Sequence, residues 1–300
     1  MRLSFWLPNS LTWDDTLAAG QFAASLGYSG LWYADHFMPN APSPADGPIH
    51  EAFTMLAALA VSVPEVQLGT MVAGNTYRHP AVLAKQAVTI DHLSGGRFVL
   101  GMGAGWQENE HLAYGLTYET FRWRFDRLEE ALQVITSLLG APRTTFAGTH
   151  YSLAEAPLDP KPVHGTMPIL IGGRGPNRTL PLVAQYADAW NMWGTPAMMA
   201  EAGAVLDVRC EAIGRDPKSL HRTAAALVYV SEDAKRVAEL RGHTIERPTV
   251  IGTPEDVAAE LTAYARAGVR ELVVPGFAYR SDGQREENLS LLLRAAQMIS

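Results

Sequence analysis

Four stretches of this chain hold residue types at spacings that could do chemistry. The first is Asp35-His36. A histidine changes charge near neutral pH and can pass a proton to or from a bound molecule. The competing reading is a ring simply satisfied by its neighbouring carboxylate. The second is Gly69-Thr-Met-Val-Ala-Gly-Asn75, an apolar run ending in a polar turn. The third, Gly101-Met-Gly-Ala-Gly105-Trp106, has alternate glycines, which mark a tight turn or something approaching the backbone. Its spacing is not the GxGxxG of dinucleotide-binding turns. The fourth is Gly172-Gly-Arg-Gly-Pro176, placed just before a helix. Free N–H groups at a helix N-terminus suit a phosphate, and Arg174 adds charge; an ordinary tight turn is the alternative. The remaining histidines (His50, His79, His92, His111, His150, His164, His221 and His243) show no metal-ligand spacing and there is no HExxH, so no metal site is expected.

Elements must place these stretches together. Val66–Glu110 reads as strand, helix, strand. Gln67–Val72 is apolar and β-branched, Pro80 suits a first helical position, and Ala81, Leu83, Ala84, Ala87, Val88 and Ile90 form one apolar face. Ser94-Gly95-Gly96 stops the helix, and Arg97–Leu100 is the next strand. Such a βαβ unit has parallel strands and a right-handed crossover. Ligands then bind where the strands' carboxyl ends open.

The rest of the chain repeats the pattern. Strands are expected at Leu3–Leu7, Gly30–Ala34, Pro168–Ile171, Ala187–Trp190, Thr223–Val230 and Glu271–Val274. Helices are expected after the Thr12–Asp15 capping box, over Glu51–Val61, Phe121–Leu139, Thr179–Tyr186 and Pro196–Ile213, from Thr253 to about Ala267, and over Gln284–Ile299. Thr144–Leu153 looks like an inserted hairpin, Glu232–Pro248 like part helix and part loop, and the proline-rich Met38–Pro48 like a lid over the mouth. Eight strands alternating with helices give a (β/α)₈ TIM barrel, expected to fill residues 1–300 as one domain with short insertions at its C-terminal face. A doubly wound sheet would show a glycine fingerprint in its first turn, and Pro8–Thr12 has none.

Composition narrows the partners. A net charge of −7 and the absence of any lysine or arginine run argue against nucleic acid. The single cysteine, Cys210, excludes an internal disulfide framework and fits a reducing cytoplasm. The N-terminus lacks a signal-peptide pattern, and no stretch approaches the ~20 apolar residues of a membrane span.

Five pieces in order, Trp32-Tyr-Ala-Asp-His36-Phe, Gly69–Asn75, the NTYRHPAVLAK run of Asn75–Lys85, Gly101–Glu110 and Gly172–Pro176, make the chain resemble the luciferase-like oxidoreductases. That family includes bacterial luciferase and the deazaflavin (coenzyme F420) dependent dehydrogenases and reductases. The resemblance covers nearly the whole chain, and the deazaflavin branch fits best. It implies a barrel, a cofactor of the F420 type with FMN as the alternative, and a homodimer. It implies His36 as the catalytic group, with Asp35 touching substrate or cofactor, and a non-proline cis peptide at Met71–Val72 in the bulge that supports the cofactor ring, with Asn75 following. Gly103, Gly105, Trp106 and Asn109 fall on the cofactor side, as does Trp193. The cofactor phosphate is expected at Gly172, Gly173, Arg174, Gly175 and Pro176. Where some relatives carry an acid after the last glycine, this chain has Trp106, read as walling an apolar pocket or stacking on a ring.

The expected activity is hydride transfer between the coenzyme and a small organic substrate, apolar or aromatic given Trp6, Trp32, Trp106, Trp190 and Trp193. An FMN-dependent monooxygenase and a non-catalytic flavin-binding barrel are the alternatives. A glycosidase would need two carboxylates across the mouth, for which Glu110 and Glu232 are the mimics. A Schiff-base aldolase would need a lysine at a strand end, and Lys85, Lys161, Lys218 and Lys235 are not so placed.

Overall fold

The computed structural model describes residues 1–40, 46–243, 245–279 and 282–299. Eight strands form the barrel: β1 (Arg2–Leu7), β2 (Gly30–Tyr33), β3 (Gln67–Thr70), β4 (Phe98–Gly103), β5 (Ile169–Gly172), β6 (Ala189–Trp193), β7 (His221–Ala225) and β8 (Glu271–Pro275). Each pairs in parallel with the next, and β8 pairs with β1, so the sheet closes on itself as expected.

Alternation along each strand builds two cores. Phe98 and Leu100, Ile169 and Ile171, and Leu272 and Val274 pack outward with the helices. Val99, Leu170 and Val273, the residues between them, point inward and meet Trp32, Met71 and Ala189 in the barrel lumen. The amino-terminal end of the lumen is polar. Buried Glu271 accepts from Trp32 Nε1 (3.3 Å) and pairs with His221 Nε2 (2.8 Å). Burial alone would raise this carboxyl, but the His221 hydrogen bond and the charges of His221 and Arg2 hold it below the usual range.

Eight main helices cover the barrel: α1 (Trp13–Ser25), α2 (Ala52–Ser62), α3 (Pro80–Ser94), α4 (Phe121–Gly140), α5 (Thr179–Tyr186), α6 (Pro196–Glu211), α7 (Pro254–Arg266) and α8 (Asp282–Gln297). Threonine hydroxyls cap four of them, Thr12, Thr120, Thr195 and Thr253 each accepting the N–H three residues on. Phe125, Leu128, Leu132 and Ile135 give α4 its buried face, but Phe121, expected on that face, is 58% exposed at the mouth.

Several boundaries differ from expectation. β4 runs three residues past Leu100, so Gly101 and Gly103 lie inside a strand and the turn starts at Ala104. β6 likewise includes Asn191 and Trp193. The expected strand Thr223–Val230 divides: β7 ends at Ala225, and Leu227–Val230 leaves the barrel to pair with Thr249–Gly252, a strand with too little pattern to read. Ala234–Arg241 is the helical part of the ambiguous stretch, and Thr144–Ala147 with Ser152–Ala156 is the expected hairpin. A further helix, Glu108–Ala113, was not expected, being too short to show periodicity. Residues 41–45 of the expected lid lie outside the described residues.

Gly101 faces the tightest approach in the barrel: a Cβ there would sit 1.9 Å from the Thr70 carbonyl oxygen. Gly101→Ala therefore should lose about 2 kcal/mol or more in a denaturant titration. Gly140→Ala, in the last turn of α4 with nothing within 4 Å of the added carbon, should by contrast leave stability unchanged or raise it by up to about 1 kcal/mol.

Candidate active site

The carboxyl ends of the strands surround a cavity of about 770 Å³. One side of it is held by two buried carboxylates. Asp35, just past β2, accepts both Arg78 guanidinium nitrogens (2.6 and 3.0 Å) and the Gly74 amide (3.0 Å). Arg78 also reaches Glu51 (2.5 Å), the residue that caps α2, and lies over the Phe53 ring at 4.6 Å. Burial pushes the Asp35 carboxyl up against the pull of Arg78 and the Gly74 amide. Burial pulls Arg78 down, but the two carboxylates beside it outweigh this and raise it, so it stays a cation.

The second carboxylate is Glu110, supplied by the short helix beyond β4. It accepts the Phe37 amide (2.8 Å) and the Tyr77 hydroxyl, and it faces His36 Nδ1 at 2.8 Å. Burial would raise its carboxyl, yet the hydrogen bonds from His36, Phe37 and Tyr77 hold it below the ordinary range. Burial, followed by the Glu110 bond and charge, raises the Tyr77 phenol. An ionised Glu110 can only accept, so Nδ1 of His36 must carry a proton. That leaves Nε2 as the ring atom available to the cavity, which His36 lines. Trp106, 55% exposed, meets the His36 ring edge-on with centroids 5.6 Å apart.

The floor shows why the glycines alternate. The Met71–Val72 peptide is cis, and β4 nests against that bulge. Cβ atoms at Gly101, Gly103 and Gly105 would strike the Thr70 carbonyl, the Val72 side chain and the Thr76 hydroxyl in turn. Gly172 at the end of β5 faces Val72 in the same way, at 3.0 Å. The glycine run thus serves strand-to-strand approach. Beyond the floor, Trp6, Trp193 and Phe277 form an aromatic wall at the ends of β1, β6 and β8, with centroids 5.8 to 6.4 Å apart.

Of the residues singled out in the sequence, Asp35, His36, Met71, Val72, Gly103, Gly105, Trp106, Gly172, Gly173 and Trp193 border this cavity. Five others do not. Asn75 is buried, its backbone N–H donating to the Gly103 carbonyl (3.0 Å), and the Asn109 side-chain oxygen accepts the Glu110 backbone N–H (3.0 Å). Arg174 and Pro176 are exposed outside it, and Gly175 lies behind Thr179. The Gly173 amide, moreover, is already spent on the Asn191 carbonyl (2.8 Å). Sequence reasoning missed Glu110, Tyr77 and Arg78 as one unit, and it missed Arg124 and Arg247 at the rim. The signal available was an acid in a possible helical turn just past a glycine-rich strand end. Among the described residues no group of three histidines, cysteines or acids could hold a metal ion, and no helix is long and apolar enough to cross a membrane.

A family model described as luciferase-like monooxygenase matches residues 1–248. The chain belongs to that family. Among relatives of this luciferase-like chain is the F420-dependent hydroxymycolic acid dehydrogenase of Mycobacterium tuberculosis, 32% identical over 76% of the chain and 62% of that protein. The F420-dependent glucose-6-phosphate dehydrogenase of Amycolatopsis mediterranei is 34% identical over 55% and 47%. The pyrimidine monooxygenase RutA of Stutzerimonas stutzeri is 34% identical over 61% and 50%. The match thus spans roughly half to three-fifths of these relatives' own lengths. The fold is shared with an F420-dependent secondary alcohol dehydrogenase, with a TM-score of 0.85 at 18% identity, covering 100% of this chain and 99% of that one. It is shared equally with the F420-dependent tetrahydromethanopterin reductase of Methanopyrus kandleri, with a TM-score of 0.83, 18% identity and coverage of 100% and 99%.

The Glu110 cluster makes a pH prediction. Its folded value lies below the ordinary one, so its stabilisation is complete above ~4.3, the unfolded value, and fades as pH falls through the folded value. Glu110→Gln should cost about 2 kcal/mol at pH 7, the scale of a hydrogen bond to a charged group. It should also flatten the loss of stability between pH 5 and 3, as read by urea titrations across that range.

Proposed function

We propose that this barrel is an oxidoreductase that moves a hydride between coenzyme F420 and a small organic substrate, with His36 handling the accompanying proton. The observation that carries the reading is the His36–Glu110 pair at the rim of the cavity (2.8 Å). Its support is a set of relatives whose names include F420-dependent dehydrogenases. A ring-shaped cofactor fits the residues present: Met71 and Val72 offer an apolar floor, and Arg124, which lines the same cavity as Gly172 and Gly173, offers a cation for an anionic side chain. Bound there, a deazaflavin supplies a carbon that takes or gives hydride and lacks the nitrogen through which flavins activate oxygen.

The chain's own residues do the rest. Asp35, Arg78 and Glu51 fix the backbone on which His36 sits. Glu110 holds the Nδ1 proton, which orients the ring and stabilises the imidazolium formed when Nε2 takes a proton from a substrate hydroxyl. In the reverse direction the same atom returns it. Trp106 and the aromatic wall exclude water from the reacting centre. The luciferase-like resemblance supports a homodimer, and the lone buried Cys210 supports a cytoplasmic setting.

Titrating the protein with F420 and with FMN tests the cofactor, the expected result being tight F420 binding and weak FMN binding. The RutA relative makes the opposite outcome informative: tight FMN binding with oxygen-dependent product would make this a monooxygenase. His36→Asn should leave F420 affinity within about twofold and lower turnover ~10²-fold, the usual scale of a lost acid–base group. Unchanged turnover would remove the proton role.

A further inference from the structure

We propose that the substrate carries an oxyanion, a carboxylate or phosphate, held by Arg247 while its apolar body lies against Trp6, Trp193 and Phe277. This rests on the hydride-transfer reading for the word substrate, but the anion site stands on its own geometry. Arg247 lines the cavity with its guanidinium over Trp193 at 4.5 Å and near Phe277 at 6.0 Å. Among the described residues nothing pairs with that guanidinium, neither a carboxylate nor a carbonyl oxygen. Arg78 and Arg178, by contrast, are each paired with an acid.

Charge at the mouth points the same way. The cavity lining includes the acid Asp35 and the cations Arg124 and Arg247. Asp35 is already committed to Arg78, so among the described residues neither cavity arginine is paired with an acid, in a chain of net charge −7. Arg124 donates to the Glu119 carbonyl and lies over the Tyr118 ring, whereas Arg247 has only its aromatic neighbours. Arg124 sits with Phe121 and Phe125 on the β5 side, where the cofactor's anionic chain is proposed. Arg247 sits across the mouth, on the wall formed by β1, β6 and β8. A guanidinium stacked on a ring keeps its N–H edge free, and that edge matches the two oxygens of a carboxylate or phosphate. The aromatic wall binds what precedes the oxyanion, which makes a hydrophobic acid with a distal hydroxyl or carbonyl the chemical class expected.

Quenching of tryptophan fluorescence, with Trp6 and Trp193 in the wall, tests this without turnover. Benzoate should bind at least tenfold tighter than neutral benzamide, and raising salt should weaken only benzoate. Arg247→Leu, at an exposed position that does not threaten folding, should erase the preference, and Arg247→Lys should restore part of it. F420 affinity in Arg247→Leu should stay within about twofold, whereas Arg124→Leu should weaken F420 and spare benzoate. Phenyl phosphate run beside benzoate tells which oxyanion is preferred, and Arg247-dependent binding of either supports the site. Equal binding of benzoate and benzamide, or a preference that survives Arg247→Leu, overturns it even if F420 binds. Failure of F420 to bind, with the benzoate preference intact, overturns the hydride-transfer reading and leaves the anion site standing.

Discussion

Two carboxylates without exposed surface, Asp35 and Glu110, govern the shape of this mouth. A buried charge is costly unless its oxygens are filled. Each of these is filled by donors from other loops. Asp35 draws Arg78 and the Gly74 amide onto the end of β2, and Glu110 draws His36, the Phe37 amide and Tyr77 onto the helix beyond β4. The loops after β2, β3 and β4 are thereby tied together. His111 repeats the tie, its Nε2 2.6 Å from the Thr76 hydroxyl and its Nδ1 2.7 Å from the Gln107 carbonyl. Removing one partner would leave the other charge buried and unpaired, so the three loops hold or fail as a unit.

The two halves of the cavity follow different designs. On the β2–β5 side, backbone approaches backbone, with glycines accommodating the Met71–Val72 bulge and charges pinning the turns. That is the build expected of a surface that must present a proton-handling histidine and a flat floor in fixed register. On the β6–β8 side the wall is made of large side chains, Trp193 and Phe277 at the strand ends and Arg247 laid over them from the loop before the Thr249–Gly252 strand. Side chains can be exchanged there without disturbing the ties of the first half, which is how one barrel serves many substrates.

Much of the architecture was legible because its cause is local. Eight apolar runs alternating with capped helices, with no glycine fingerprint in the first turn, favour a barrel over a doubly wound sheet, and Thr253-Pro254-Glu255-Asp256 announces its helix by its own hydrogen bonds. Asp35 and His36 stood out as an acid and a base at a strand end. The glycine run was visible, but its reason was not: Gly101, Gly103 and Gly105 answer Thr70, Val72 and Thr76, thirty residues away. Glu110 could be weighed only as an isolated acid, because its bond to His36 crosses 74 residues. Arg174 looked like a phosphate ligand because it sits in a glycine turn, yet it points outside the cavity, and Arg247 held no local signal at all. Long-range pairing is what a single sequence does not display.

The proposed chemistry depends on Glu110 fixing the proton of His36. Nitrogen-15 NMR of the histidine rings, at a pH where they are neutral and with no cofactor bound, reads this directly. The expected result is a single His36 tautomer with hydrogen on Nδ1 and a bare Nε2, and a mixed population once Glu110 is glutamine. A wild-type His36 with hydrogen on Nε2, or one that samples both tautomers, would contradict it.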